Sequence, residues 1–212
     1  MDLKAGARRA LTWARVRAPG PVRAAYRLAR SLESRPLSPA MPDALVGGAR
    51  LCGSREDMLA HLPKHGVVAE LGTYRGDFAR AISRINAPRE LHLIDIDYSL
   101  LDARGLEAPA VVRHIGLTHE VIAGFPDAHF DWIYIDADHA YASAVADAAA
   151  AAPKVKPGGY LVFNDFAHID PLLGRYGVHR AATEFAVREG WPVAFFAFHP
   201  AALYDIALRR PV

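Results

Sequence analysis

Asp136, Asp138 and His139 fall within one short stretch, Ile135-Asp136-Ala137-Asp138-His139-Ala140-Tyr141, and Asn164 and Asp165 stand side by side further along the chain. Oxygen ligands of this kind suit a hard cation such as Mg2+, which usually keeps some of its waters. Asp136, Asn164 and Asp165 are therefore the candidate metal ligands. A divalent cation lowers the pKa of an oxygen bound to it. Histidine's ordinary pKa lies near neutrality, so His139 is suited to take the proton that such an oxygen gives up. His168 follows closely enough to be a substitute base. Asp138 reads equally as a helix cap.

A second group lies upstream. In VVAELGTYRG, Val67 to Gly76, an apolar run ends near Glu70, and Gly72 and Gly76 make a tight turn before a helix beginning near Asp77. Glycine lets a backbone approach a ligand where any Cβ would intrude. Asp95 closes the next apolar run, at about the separation from which a carboxylate can accept both hydroxyl protons of a ribose. Glu70, Gly72, Thr73, Tyr74, Gly76 and Asp95 are accordingly the candidate cofactor contacts, and Asp136 borders the same place.

Apolar runs at Val67–Leu71, Leu91–Ile94, Val111–Ile115, Phe130–Ile135 and Tyr160–Phe163 have the length and flanking turns of buried strands. Helical stretches lie among them, Phe78–Ile85 and Tyr141–Ala152, with one more ahead of them that Ser54 caps and Pro63 closes. This alternation predicts an α/β fold, a doubly wound and mostly parallel sheet with helices on both faces. A helix at Val178–Glu189 leads to Val193–Phe198 and Leu203–Leu208, joined too tightly for a parallel crossover, so an antiparallel last strand is expected and the sheet has seven strands.

With those elements in place the chain resembles the class I S-adenosylmethionine-dependent methyltransferases over Val67 to Arg209. The turn and Asp95 resemble that superfamily's first two motifs, HIGLTHEVI its adenine-side segment, and FDWIYIDADHAY with KPGGYLVFND its fourth and fifth strands. The resemblance implies a Rossmann-like fold, with S-adenosylmethionine as cofactor. Glu70 and Gly72 would lie by its methionine part, Asp95 by its ribose, and Gly116 to Thr118 by its adenine. Relatives often carry a polar or acidic residue where this chain has Leu117, leaving a backbone group or Thr118 for that contact. The DADHAY and Asn164-Asp165 segments look like the metal-dependent O-methyltransferases, the macrolide sugar enzymes more than the catechol-type ones. That likeness implies Asp136 as a metal ligand and either His139 or Asp138 as general base. It also implies a hydroxyl of a sugar or other small natural-product acceptor as substrate. Those sugar enzymes end their fifth strand in an acidic pair, where this chain has Asn164-Asp165. Tyr74, Arg75, Tyr141, Arg175, Tyr176 and His179 are candidates to border the acceptor and read equally as ordinary loop residues.

Two other classes compete. A nicotinamide-dependent oxidoreductase would share a glycine turn and an acid after the second strand, but a G-x-G-x-x-G centred on Gly72 would put Glu70 and Arg75 at its outer positions. A cofactor-binding protein without catalysis would have no use for Asp136, His139 and Asp165.

At 212 residues there is room for one substantial core and a small addition. One cysteine, Cys52, excludes an internal disulfide and a multi-cysteine zinc site. Net charge is +2, yet nine Lys/Arg fall in residues 1–35 against Asp2 and Glu33. Val22, Ala25, Tyr26, Ala29 and Leu32 form an apolar stripe there, beside a basic one of Arg23, Arg27 and Arg30. Residues 1–53 thus read as a basic helical extension and, from Pro36, a Pro/Gly-rich linker, with the cofactor domain at 54–212. The basic stripe suits a packing helix, a peripheral membrane contact or an anionic partner, and a homo-oligomer is a further expectation. No nucleic acid is expected as a partner. Arginines break up any signal-peptide core, so the expected location is cytoplasmic.

Overall fold

A computed structural model of the protein describes residues 20–33, 38–167, 169–170 and 174–212. The described residues open with helix α1 (Gly20–Glu33) and a single turn α2 (Asp43–Val46), followed by strand β1 (Arg50–Cys52) and helix α3 (Arg55–His61). Then come β2 (Val67–Leu71), α4 (Asp77–Asn86), β3 (Glu90–Asp95), β4 (Val111–Ile115), α5 (Thr118–Ala123), β5 (Phe130–Ile135) and α6 (Tyr141–Ala151). After a 3-10 turn at Ala152–Lys154 follow β6 (Val155–Phe163), the small hairpin β7 (Ile169–Asp170) and β8 (Gly174–Arg175), α7 (Val178–Glu189), β9 (Val193–Ala197) and β10 (Asp205–Arg209).

The main sheet runs β1-β9-β10-β6-β5-β2-β3-β4. β2 pairs in parallel with β3 and β5, β5 with β6, and β10 is antiparallel to both neighbours. Because each strand alternates its side chains between faces, β2 sends Val67, Ala69 and Leu71 one way and Val68 and Glu70 the other. The first set packs with Ala144, Ala148, Ala182 and Phe185 from α6 and α7. The opposite face meets Met58, Leu59, Phe78 and Ile82 from α3 and α4. Trp132 and Phe163 are fully buried, one on each face. A side chain of that size contributes roughly 2–3 kcal/mol by leaving water.

Local chemistry sets the boundaries. Ser54 Oγ accepts from Asp57 N at 3.0 Å and starts α3 as expected. β6 begins at Val155, earlier than the apolar run suggests, because Gly158 N donates to Arg210 O and Arg210 N to Gly159 O. The C-terminal segment thereby supplies partners to a stretch whose composition reads as a turn.

Among the described residues the sheet has eight strands where seven were expected. The addition is Arg50–Cys52, within the segment read as linker, which pairs in parallel with β9. Of its three residues Cys52 alone is buried, so no apolar pattern announces it. In α1 the apolar Val22 and Leu28 are exposed. The basic residues before Gly20, Arg35 and His168 lie outside the described residues. No helix among the described residues is long and apolar enough to cross a membrane.

Candidate active site

The chain passes from β2 through β3 and β4 on one side and returns to β5 on the other, so β2 and β5 flank the point where strand order reverses, a place where open α/β sheets bind ligands at their carboxyl ends. There the loops touch, with Asp136 N donating to Leu71 O at 2.8 Å. Gly72 has φ +91°, and a Cβ on it would stand 2.1 Å from Asp136 O. Both the dihedral and the close approach require glycine. Gly76, φ +79°, turns the chain into α4.

Asp95 holds the turn. Its Oδ2 accepts from Thr73 N at 2.8 Å and Tyr74 N at 2.9 Å, while Oδ1 accepts from Ile96 N at 2.7 Å. Gly116 N donates to the Asp95 carbonyl at 3.0 Å. The carboxylate thus sits where the sequence placed it, and its oxygens order the glycine loop. Tyr74 is exposed, with φ +49° and Arg75 stacked over its ring.

Glu70 is buried and its Oε2 has no protein partner, and the same holds for Thr73 Oγ1. Burial, followed by the charge of Asp136, pushes the Glu70 carboxyl well above the usual carboxylate range. Buried polar atoms are normally paired. An unpaired carboxylate oxygen and hydroxyl facing a turn fit a cationic, amine-bearing ligand such as S-adenosylmethionine.

Asp136, His139, Asn164 and Asp165 come together at the ends of β5 and β6. Asn164 Nδ2 donates to Asp136 Oδ1 at 2.7 Å, and His139 Nε2 lies 3.2 Å from that same oxygen and 3.4 Å from Asp165 Oδ2. Tyr176 stacks on the imidazole, centroids 4.4 Å apart and 12° from parallel, and Gly177 N donates to the His139 carbonyl. His139 Nδ1 and Asn164 Oδ1 are buried without a protein partner. Asp165 has φ +53°, a strained conformation of the kind that collects at functional sites.

Other expected residues go elsewhere. Asp138 is exposed, its Oδ1 accepting from Ala140 N and its Oδ2 from Ser143 Oγ, so it caps the approach to α6 and stands apart from the cluster. Thr118 is buried and donates through Oγ1 to Asp147 Oδ1 at 2.5 Å, which ties α5 to α6. Tyr141 Oη bonds Glu184 and lies under Arg180, bracing α6 on α7. His179 Nδ1 meets Ser38 Oγ.

Two residues outside the motifs, Arg55 and Asp205, complete this edge. Tyr134 Oη donates to Asp205 Oδ2 at 2.6 Å, and burial pushes the Asp205 carboxyl up to about 7 against that bond. Arg55 lies over Phe78. Burial opposes the Arg55 charge, but the fields of Tyr134, Asp205 and Asp136 prevail and hold it more firmly protonated. Asp205 and Arg55 carry no sequence signal, since one ends a loop and the other follows a helix cap.

A methyltransferase-domain family model matches residues 69–166. No curated protein matches the chain by sequence. Among solved structures, the N-methyltransferase NodS from Bradyrhizobium japonicum WM9 is similar over 74% of this chain and 95% of its own, at 18% identity and TM-score 0.54. A 1,6-didemethyltoxoflavin-N1-methyltransferase from Burkholderia thailandensis, with bound 1,6-didemethyltoxoflavin and S-adenosylhomocysteine, is similar over 74% and 76%, at 16% identity and TM-score 0.55. A protein from Corynebacterium glutamicum is similar over 98% of both chains, at 15% identity and TM-score 0.55. The family model thus spans the cofactor turn, Asp95 and the Asp136–His139–Asn164–Asp165 cluster, and the solved structures share the fold of this chain.

Proposed function

We propose that the protein methylates a hydroxyl of a sugar or other small polyhydroxylated natural product, with His139 as general base. The observation that supports this reading best is His139 Nε2 between the carboxylates of Asp136 and Asp165, 3.2 and 3.4 Å away, with its ring clamped by Tyr176. A hydroxyl is a weak nucleophile until it loses its proton. An imidazole flanked by two carboxylates and clamped by an aromatic ring is held in place for that proton transfer.

S-adenosylmethionine supplies an electrophilic methyl group on a sulfonium. Glu70 and Thr73 offer acceptors for its amine, and Arg55 offers a cation for its carboxylate. Asp95 offers lone pairs to the ribose, shared with the amides it already receives, and the exposed Ile96 and Ile115 offer the adenine an apolar surface. Gly116 lies alongside, whereas Thr118 contributes through its backbone, its hydroxyl being engaged by Asp147. Asp136, Asn164 and Asp165 would hold Mg2+. The donor set is all oxygen and includes the unpartnered Asn164 Oδ1, and the ion would lower the pKa of the acceptor hydroxyl. Positioning in a water-poor cleft accounts for the rest, because in-line methyl transfer asks for little further chemistry.

Radiolabelled methyl transfer to a panel of sugars, catechols and amines tests the reading. His139→Ala and Asp165→Ala are expected to lower turnover on hydroxyl acceptors by roughly 10²–10⁴-fold while S-adenosylmethionine binding survives. Unchanged turnover in both variants, or an amine as the preferred acceptor, would overturn the assignment. EDTA is expected to reduce turnover and Mg2+ to restore it. Full activity in EDTA would remove the metal from the scheme.

A further inference from the structure

At the amino end of the sheet, far from the cofactor turn, Glu90, His92 and His129 each present a ligand atom, and these atoms all lie within 4.8 Å of one another. Glu90 and His92 are alternate residues of β3 and therefore share a face. His129 comes from the turn ahead of β5, fixed by its amide donating to Lys154 O at 2.9 Å. β2 runs between β3 and β5, so the three residues reach across an intervening strand.

The contacts around His92 have the form of a ligand with its outer support. Its Nε2 is 3.4 Å from Glu90 Oε2, and its Nδ1 is 3.0 Å from His114 Nε2 on β4. Two ligands at about 2.0–2.1 Å on a tetrahedral zinc stand about 3.3 Å apart, close to the Glu90–His92 spacing. When His92 Nδ1–H donates to His114, the Nε2 lone pair faces the Glu90 carboxylate, a repulsive pairing that a cation between them would turn into a chelate. A second-sphere hydrogen bond on the remote ring nitrogen is the usual companion of a metal-bound histidine. Phe125 and Phe130 pack edge-on against His92, and Phe130 also against His129, giving the imidazoles an apolar flank.

We propose that Glu90, His92 and His129 form a binding site for a borderline divalent transition metal, Zn2+ foremost, which cross-links β3 to the turn before β5. Two imidazoles and one carboxylate match zinc and disfavour Mg2+, which prefers an all-oxygen set. This site is separate from Asp136, Asn164 and Asp165 at the opposite edge.

The test is Zn2+ titration of the full chain by calorimetry, in the presence of millimolar Mg2+, with Co2+ absorption as a report on ligand geometry. One equivalent of Zn2+ is expected to bind, with a Co2+ spectrum of low coordination number. At a hundredfold excess over Kd it should raise the melting temperature by roughly 5–10 °C. Glu90→Gln and His129→Ala, both at partly exposed positions, should weaken binding at least tenfold and leave S-adenosylmethionine affinity unchanged. His114→Phe should weaken it less than either. Stoichiometric binding that persists in both ligand variants, binding lost only in Asp136→Asn, or the absence of binding at tens of micromolar Zn2+ would each overturn the proposal.

Discussion

Asp147 shows how far a single residue's role depends on partners distant in sequence. It sits on an alanine-rich helix that gives no sign of special chemistry, yet it is 1% exposed and accepts the Thr118 hydroxyl. Burial pushes its carboxyl up to about 7, only partly opposed by that bond. The unfolded chain ionises near the ordinary value, around 3.9, while the folded chain keeps its proton. Between those values the unfolded state binds fewer protons, so Asp147 costs stability progressively as pH rises from about 4 to 7 and by a constant amount above that. Asp147→Asn can still accept from Thr118 and never ionises. It is expected to be more stable than the parent at pH 8 by roughly 1–4 kcal/mol, with the gap shrinking towards pH 4. Urea unfolding of both proteins across this range checks it, and parallel profiles would refute it. The same pair explains why the adenine-side expectation for Thr118 fails as a side-chain contact: the resemblance located the segment, but the hydroxyl's partner lies 29 residues on.

At the level of elements, the strands that could be read from sequence are those buried on both faces. Val67–Leu71 and Phe130–Ile135 coincide with β2 and β5 because apolar runs of that length have nowhere to go but a covered sheet. Arg50–Cys52 escaped notice since an edge strand needs one buried side chain and a partner, β9, that is remote in sequence. The Asp136–His139–Asn164–Asp165 cluster was legible for a related reason, as parallel strands in register must bring their ends to one edge. Asp205 was not, because β10 runs the other way and begins there. Gly72 carries the sharpest element-scale consequence. Its Cβ would collide with Asp136 O, and relief requires separating the β2 and β5 loops and moving Asp136 from Asn164. Gly72→Ala should therefore destabilise the fold by about 2–4 kcal/mol and weaken S-adenosylmethionine binding more than tenfold. Denaturant unfolding and calorimetry measure the two effects, and a stable variant with parental affinity would show that the turn tolerates a Cβ.

Across the whole molecule the sheet has two chemically distinct edges. Glu70, Asp95, Asp136 and Asn164 lie at the carboxyl ends of β2, β3, β5 and β6, whereas Glu90 begins β3 and His129 precedes β5. Five steps of strand lead from Glu90 to Asp95, about 16 Å at the usual rise, and close-packed interior lies between. A ligand at one edge therefore has no direct contact with the other and reaches it only through global stability. Amides that exchange by local opening distinguish these routes, because they report the free energy of their own segment and not that of complete unfolding. S-adenosylhomocysteine is expected to slow exchange in the segments 71–76, 95–97 and 136–139. The turn at Ala128–His129, exchanging through its own local opening, should keep its rate. Protection concentrated at that turn would place the cofactor at the wrong edge. Equal slowing of locally opening amides at both edges would mean that the sheet couples them, contrary to independent sites on a rigid core.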